Sequence, residues 1–120
     1  AGKKLRSLKA LTEPVSDVKK RARKLLNKLR KENFESLALR LRDGFSTTGG
    51  GSLPMQKIPT VLIGIKSNKM SAGRMEEKLR ALGVPIIVRV DKDEILLDLR
   101  TVAEDEFVFV IEGFKQVMCN

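Results

Sequence analysis

Apolar residues recur at three- and four-residue spacing in Val15, Val18, Ala22, Leu25, Leu26 and Leu29, and then at every second position in Leu37, Leu39 and Leu41. A helix repeats every 3.6 residues and a strand every two, so neither pattern can serve the other element. The chain must join an amphipathic helix to a half-buried strand. Thr12-Glu13-Pro14 supplies a capping hydroxyl and a proline suited to a first turn, which predicts a helix over 13–31. The alternation predicts a strand over 36–42.

Glycines and prolines then crowd the stretch from Gly44 to Pro59, which reads as one long loop. Thr60 to Ile65 is apolar on both faces and predicts a central strand over 60–66. Ser71 opens a helix over 71–82 carrying Met75, Leu79 and Leu82, which Gly83 and Pro85 stop. Two further strands, 86–90 and 94–99, flank the turn residues Asp91-Lys92-Asp93 and should pair antiparallel. Thr101-Val102-Ala103-Glu104 matches a capping box. It opens a helix over 102–118 that would bury Phe107, Val110, Ile111, Phe114 and Met118. Helices on one face of a mostly antiparallel four-stranded sheet, an α+β two-layer sandwich, cover every apolar face. At 120 residues there is room for one such domain and one core.

The chain has no histidine and one cysteine, Cys119. That excludes an internal disulfide, a Cys-based zinc site and Ser-His or Cys-His nucleophile pairs, and it suits a reducing, cytoplasmic setting. No apolar run approaches the roughly 18 residues of a membrane span. Lys3, Lys4 and Arg6 lead into Leu8 without an apolar core segment, so no signal peptide is expected.

The net charge is +9, and all of it lies in the first third. Residues 1–42 carry 14 Lys and Arg against 4 Asp and Glu, while residues 43–120 carry 10 against 11. On a helix, Lys19, Lys20, Arg23 and Lys24 fall opposite the apolar stripe. They form either a solvated face or a face that contacts RNA phosphates. With no Trp or Tyr and five Phe, several in apolar runs, the sequence predicts no stacking platform for single-stranded nucleic acid.

Gly49-Gly50-Gly51-Ser52-Leu53-Pro54 is the most unusual segment. It is either a flexible linker or a backbone that approaches something closely, and no Gly-Lys-Ser/Thr makes it a P-loop. Arg89, in the apolar run Ile86 to Val90 beside Ile87, either reaches outward to solvent or binds an anion. Arg100 suits a structural role or an ion pair with Asp98 or Glu104. Asp91, Asp93 and Glu94 cluster in a turn that lacks calcium-loop spacing, and no metal site is expected.

Leu8-Lys9-Ala10-Leu11-Thr12-Glu13-Pro14, Gly49 through Pro54, Val84 through Val90 and Leu96-Leu97-Asp98-Leu99-Arg100-Thr101-Val102, in this order, resemble the C-terminal portion of the bacterial L-seryl-tRNA(Sec) selenium transferases. The resemblance covers nearly the whole chain. Members of that family commonly carry a glycine where Val88 stands and another in the turn at Asp93-Glu94. The resemblance implies the small C-terminal domain, spanning 1–120, of a fold-type-I enzyme that uses pyridoxal 5′-phosphate. It implies conversion of seryl-tRNA(Sec) to selenocysteinyl-tRNA(Sec) with selenophosphate, by a cytoplasmic homo-oligomer. The cofactor would be bound by a large domain outside this chain, so no catalytic residue is assigned here and the isolated chain is expected to be inactive. Arg89 occupies a place similar to that of a small-domain arginine that often binds the substrate carboxylate in that fold, and with Gly49, Gly50, Gly51 and Ser52 it would line the cleft against the large domain. A non-catalytic RNA-binding or scaffold module also fits the residues, as does the small domain of a related pyridoxal-phosphate enzyme acting on an amino acid or amino sugar phosphate.

Overall fold

The computed structural model of the chain describes residues 13–48 and 56–118. Helix α1 (Val15–Lys31) begins at Pro14, whose carbonyl accepts from the Asp17 and Val18 amides. Pro14 contributes no side-chain cap, and Thr12 lies outside the described residues. Asp17 in the first turn and Lys28, Arg30 and Lys31 in the last suit the helix dipole. Asn33 then takes a left-handed conformation (φ 57°), ending the helix in the way its short polar side chain permits. Val18, Ala22, Leu25, Leu26 and Leu29 are buried as the spacing predicts. Val15 lies outside the buried stripe and is exposed.

Strands β1 (Leu37–Thr48), β2 (Gln56–Ser67), β3 (Arg89–Asp91) and β4 (Glu94–Asp98) form one sheet in the order β1-β2-β4-β3, with all neighbours antiparallel. Val61, Ile63, Ile65, Ile95 and Leu97 point to the side that carries α1, α2 (Ala72–Arg80) and α3 (Phe107–Met118), and all of them join one core. Each larger side chain in that core contributes roughly 1.5–3 kcal/mol relative to exposure. The two-layer α+β architecture expected from the sequence is the one observed.

The segment from Gly44 to Pro59 departs most from the sequence reading. Instead of one loop, β1 continues through Thr48 and β2 starts at Gln56, with Gly44 opposite Thr60 and Phe45 opposite Pro59. Pro59 is tolerated because its carbonyl points away from β1 and accepts from Arg100 Nε (2.7 Å). The missing amide lies on that same side, so the β1–β2 ladder loses no bond. A Cβ on Gly44 would stand 2.6 Å from Leu62 Cδ1, so glycine lets β1 close down on β2 there.

Other boundaries shift for local reasons. The strand expected at 86–90 is limited to Arg89–Asp91, because the Ile86 amide bonds to the Leu79 carbonyl at the end of α2 rather than to β4. Strand β4 stops at Asp98, and Leu99–Thr101 form a 3₁₀ turn. The helix expected over 71–82 is shortened to Ala72–Arg80, with Ser71 capping it as expected through the Arg74 amide. The expected capping box at Thr101–Glu104 is displaced. The Thr101 hydroxyl donates to the Asp98 carbonyl, while the Glu106 carboxylate accepts from the Ala103 amide and starts a 3₁₀ turn ahead of α3. Ile111 and Met118 are half-buried rather than enclosed, whereas Gly113 and Val117 are buried.

Candidate functional site

The face of the sheet away from the helices carries a polar layer. Register puts Arg40, Gly64, Leu96 and Arg89 on one row, and Arg42, Leu62 and Asp98 on the next. Glu94 lies across Gly64, where a Cβ would stand 2.2 Å from its Oε2. It accepts from Arg40 Nε (2.8 Å), Arg40 Nη2 (2.9 Å) and Arg42 Nη1 (2.8 Å), so β4 is tied to β1 over the glycine gap in β2. Hydrogen bonding from Arg40 holds the Glu94 carboxyl below its ordinary pKa. Burial pulls the other way, and the charges of Arg40 and Arg42 reinforce the lowering. The same pairing raises Arg40.

Asp98 is the second anchor. It accepts from the Ser46 and Thr60 hydroxyls and from the Arg100 amide. Ser46 stands on β1 and Asp98 on β4, with β2 between them. Strands spaced about 4.8 Å apart would keep two such short side chains out of reach on a flat sheet. The far end of the β1–β2 hairpin therefore curls over this face. Arg89 completes the arrangement: its Nη1 donates to the Phe45 carbonyl (2.9 Å), Nη2 lies 3.9 Å from Asp98, and the side chain stays 44% exposed. Arg89 thus reaches along its own face to the end of β1 that leads into residues 49–55. Gly49, Gly50, Gly51 and Ser52 lie outside the described residues.

Arg100 is buried, and its guanidinium donates to the Pro59 and Glu13 carbonyls (2.7 and 2.6 Å). The expected partner Asp98 takes its backbone amide instead. Arg21, unremarked in the sequence reading except as one basic residue among many, bonds to Glu13 and to the Val102 and Leu99 carbonyls. These two arginines fasten the start of α1 to the first residues of β2 and to the 3₁₀ turn. The turn acids part company: Asp93 accepts from the Ala72 amide at the start of α2, while Glu94 faces the arginines.

On the opposite side of the molecule, Lys19, Lys20, Arg23 and Lys24 are exposed along α1. Lys24 pairs with Glu104 (2.9 Å), which lowers the Glu104 carboxyl. Not every phenylalanine is enclosed: Phe45 is 52% exposed, with Lys57 Nζ 6.0 Å from its ring centre. The loop reading of Gly44 to Pro59 hid this, because Phe45 in fact continues the row of Leu37, Leu39 and Leu41 along β1.

A carbonyl-attacking lysine must lose its proton, which burial promotes. Among the described residues every lysine is exposed or half-buried, and Lys115 is shifted upward by hydrogen bonds to Glu32 and Glu112. The described residues do not fit pyridoxal phosphate. No helix among them is long and apolar enough to cross a membrane.

Fold and site together define a small two-layer α+β domain with a helical basic face on one side and an arginine-carboxylate layer on the other. A family model described as L-seryl-tRNA selenium transferase matches residues 1–103, and the chain belongs to that family. The chain is 40% identical over 115 residues to the L-seryl-tRNA(Sec) selenium transferase of Alkaliphilus metalliredigens (strain QYMF), covering 96% of this chain and 24% of that protein. It is 42% identical over 100 residues to the protein of the same name from Clostridium botulinum (strain Hall), covering 83% and 21%. The chain therefore spans about a quarter of the length of these relatives.

Proposed function

We propose that this chain is the small C-terminal domain of a pyridoxal-phosphate enzyme that converts L-seryl-tRNA(Sec) to L-selenocysteinyl-tRNA(Sec) with selenophosphate, working in the cytoplasm as a homo-oligomer. The observation that carries this reading is 40% identity along 96% of the chain to a protein of that name four times as long. The cofactor and its lysine belong to the rest of the enzyme, since no lysine among the described residues suits the role. The domain's own contribution is binding. Lys19, Lys20, Arg23 and Lys24 contact tRNA phosphates, and Arg89, with Gly49, Gly50, Gly51 and Ser52, lines the cleft against the large domain. An aminoacyl-tRNA ester has no free carboxylate, so the anion suited to the Arg89 fork is selenophosphate or an RNA phosphate.

The test of the tRNA contact is the salt dependence of affinity. Each neutralised phosphate contributes about 0.7–0.9 to the slope of log affinity against log salt. In the parent enzyme, changing Lys19, Lys20, Arg23 and Lys24 to Gln should weaken tRNA binding and flatten the slope by about 3. An unchanged slope would mean that this face is only solvated.

A further inference from the structure

We propose that Phe45 and Lys57, at the outer end of the β1–β2 hairpin, extend the basic face of α1 into one RNA-binding surface, with phosphates along the helix and an unpaired base stacked on the Phe45 ring. This rests on the RNA reading of α1 given above, and it names residues that the charge pattern does not.

Four observations carry it. Phe45 belongs by alternation to the row of Leu37, Leu39 and Leu41, and Lys57 to the row of Pro59, Val61 and Ile63, so both point to the helix-bearing side of the sheet. The start of α1 is pinned beside them, because Arg100 bonds both the Glu13 carbonyl before α1 and the Pro59 carbonyl opposite Phe45. Phe45 is half-exposed with a lysine ammonium over its ring, which pairs a π-face with a cation as stacking sites for nucleic acid do. The charge suits a polyanion: Lys19, Lys20, Arg23, Lys28, Arg30 and Lys31 make no ion pair with another described residue. The acids on this side include Asp17 in the first turn of α1 and Asp43 on the Phe45 row, together with Glu13, Glu104 and Glu32, which are paired with Arg21, Lys24 and Lys115; the six unpaired cations of α1 leave the surface positive. Phe109, also half-exposed, follows Glu104, Asp105 and Glu106 and lacks such a setting.

The experiment measures tRNA affinity of the parent enzyme between about 50 and 200 mM salt. Phe45→Ala should weaken binding about fivefold or more with an unchanged salt slope, and Phe45→Trp should restore it, because stacking needs a ring rather than a charge. Lys57→Gln should lower the slope by about 1. Melting curves of each variant separate lost contact from lost folding. If the α1 glutamine variant flattens the slope while Phe45→Ala and Lys57→Gln bind as wild type does, the inference fails and the α1 reading stands. If Phe45→Ala lowers the melting temperature or changes the oligomer without affecting RNA affinity, the ring packs against protein and the inference fails. If the α1 variant has no effect, the underlying reading fails.

Discussion

Glu94 shows how much rests on one side chain. Its carboxylate is buried, bound by two arginines and placed where Gly64 leaves room. Because its folded pKa is lowered, the stability it contributes is present above the ordinary carboxylate value, about 4.3, and is lost as pH falls through the lower folded value. Glu94→Gln should destabilise the domain by about 2 kcal/mol at neutral pH, a figure discounted for the 61% exposure of the Arg40 side chain. It should also reduce the loss of stability on acidification below about pH 4.5. Denaturant melts at several pH values check both. Gly64→Ala should be destabilising by about 1–3 kcal/mol, and much less so when Glu94 is already Ala, because the displaced group is then gone.

Among the elements, hydrophobic period made the three α-helices of the described residues, the central strand and the sheet class legible. What escaped was the outer half of the hairpin. Gly44 and Pro59 look like breakers in a linear reading, yet each fits its strand for a reason that only the partner strands supply: Leu62 beneath one and Arg100 beside the other. Long-range polar bonds explain the site in the same way. Arg89 stood out as an arginine among apolar residues, but nothing local shows that it reaches the Phe45 carbonyl on the strand at the opposite edge of the sheet, with β4 and β2 between.

The β3–β4 turn carries its own test. Lys92 and Asp93 both take positive φ, 49° and 60°, in a two-residue turn where glycine is easier. Asp93 is compensated by its bond to the Ala72 amide, whereas the Lys92 conformation favours glycine. Lys92→Gly should therefore stabilise the domain by up to about 1 kcal/mol, read as a rise of a few degrees in melting temperature. Asp93→Gly should gain less or lose stability, because it removes the bond to α2.

For the whole molecule, the two faces divide the work. Helices cover one side of the sheet and present the basic surface of α1, while on the other side the curled hairpin and its arginines close over Leu62 and Leu96. In the function proposed above, this domain binds and positions while the rest of the enzyme carries the cofactor. The most direct measurement is the fate of the seryl group. Incubate the intact parent enzyme with seryl-tRNA(Sec), selenophosphate and pyridoxal phosphate, then identify the aminoacyl product by mass spectrometry. The expected product is selenocysteine on the tRNA, with Arg89→Lys turning over far more slowly at an unchanged melting temperature. Serine left intact by an enzyme that instead transforms a free amino acid or an amino sugar phosphate would contradict that expectation.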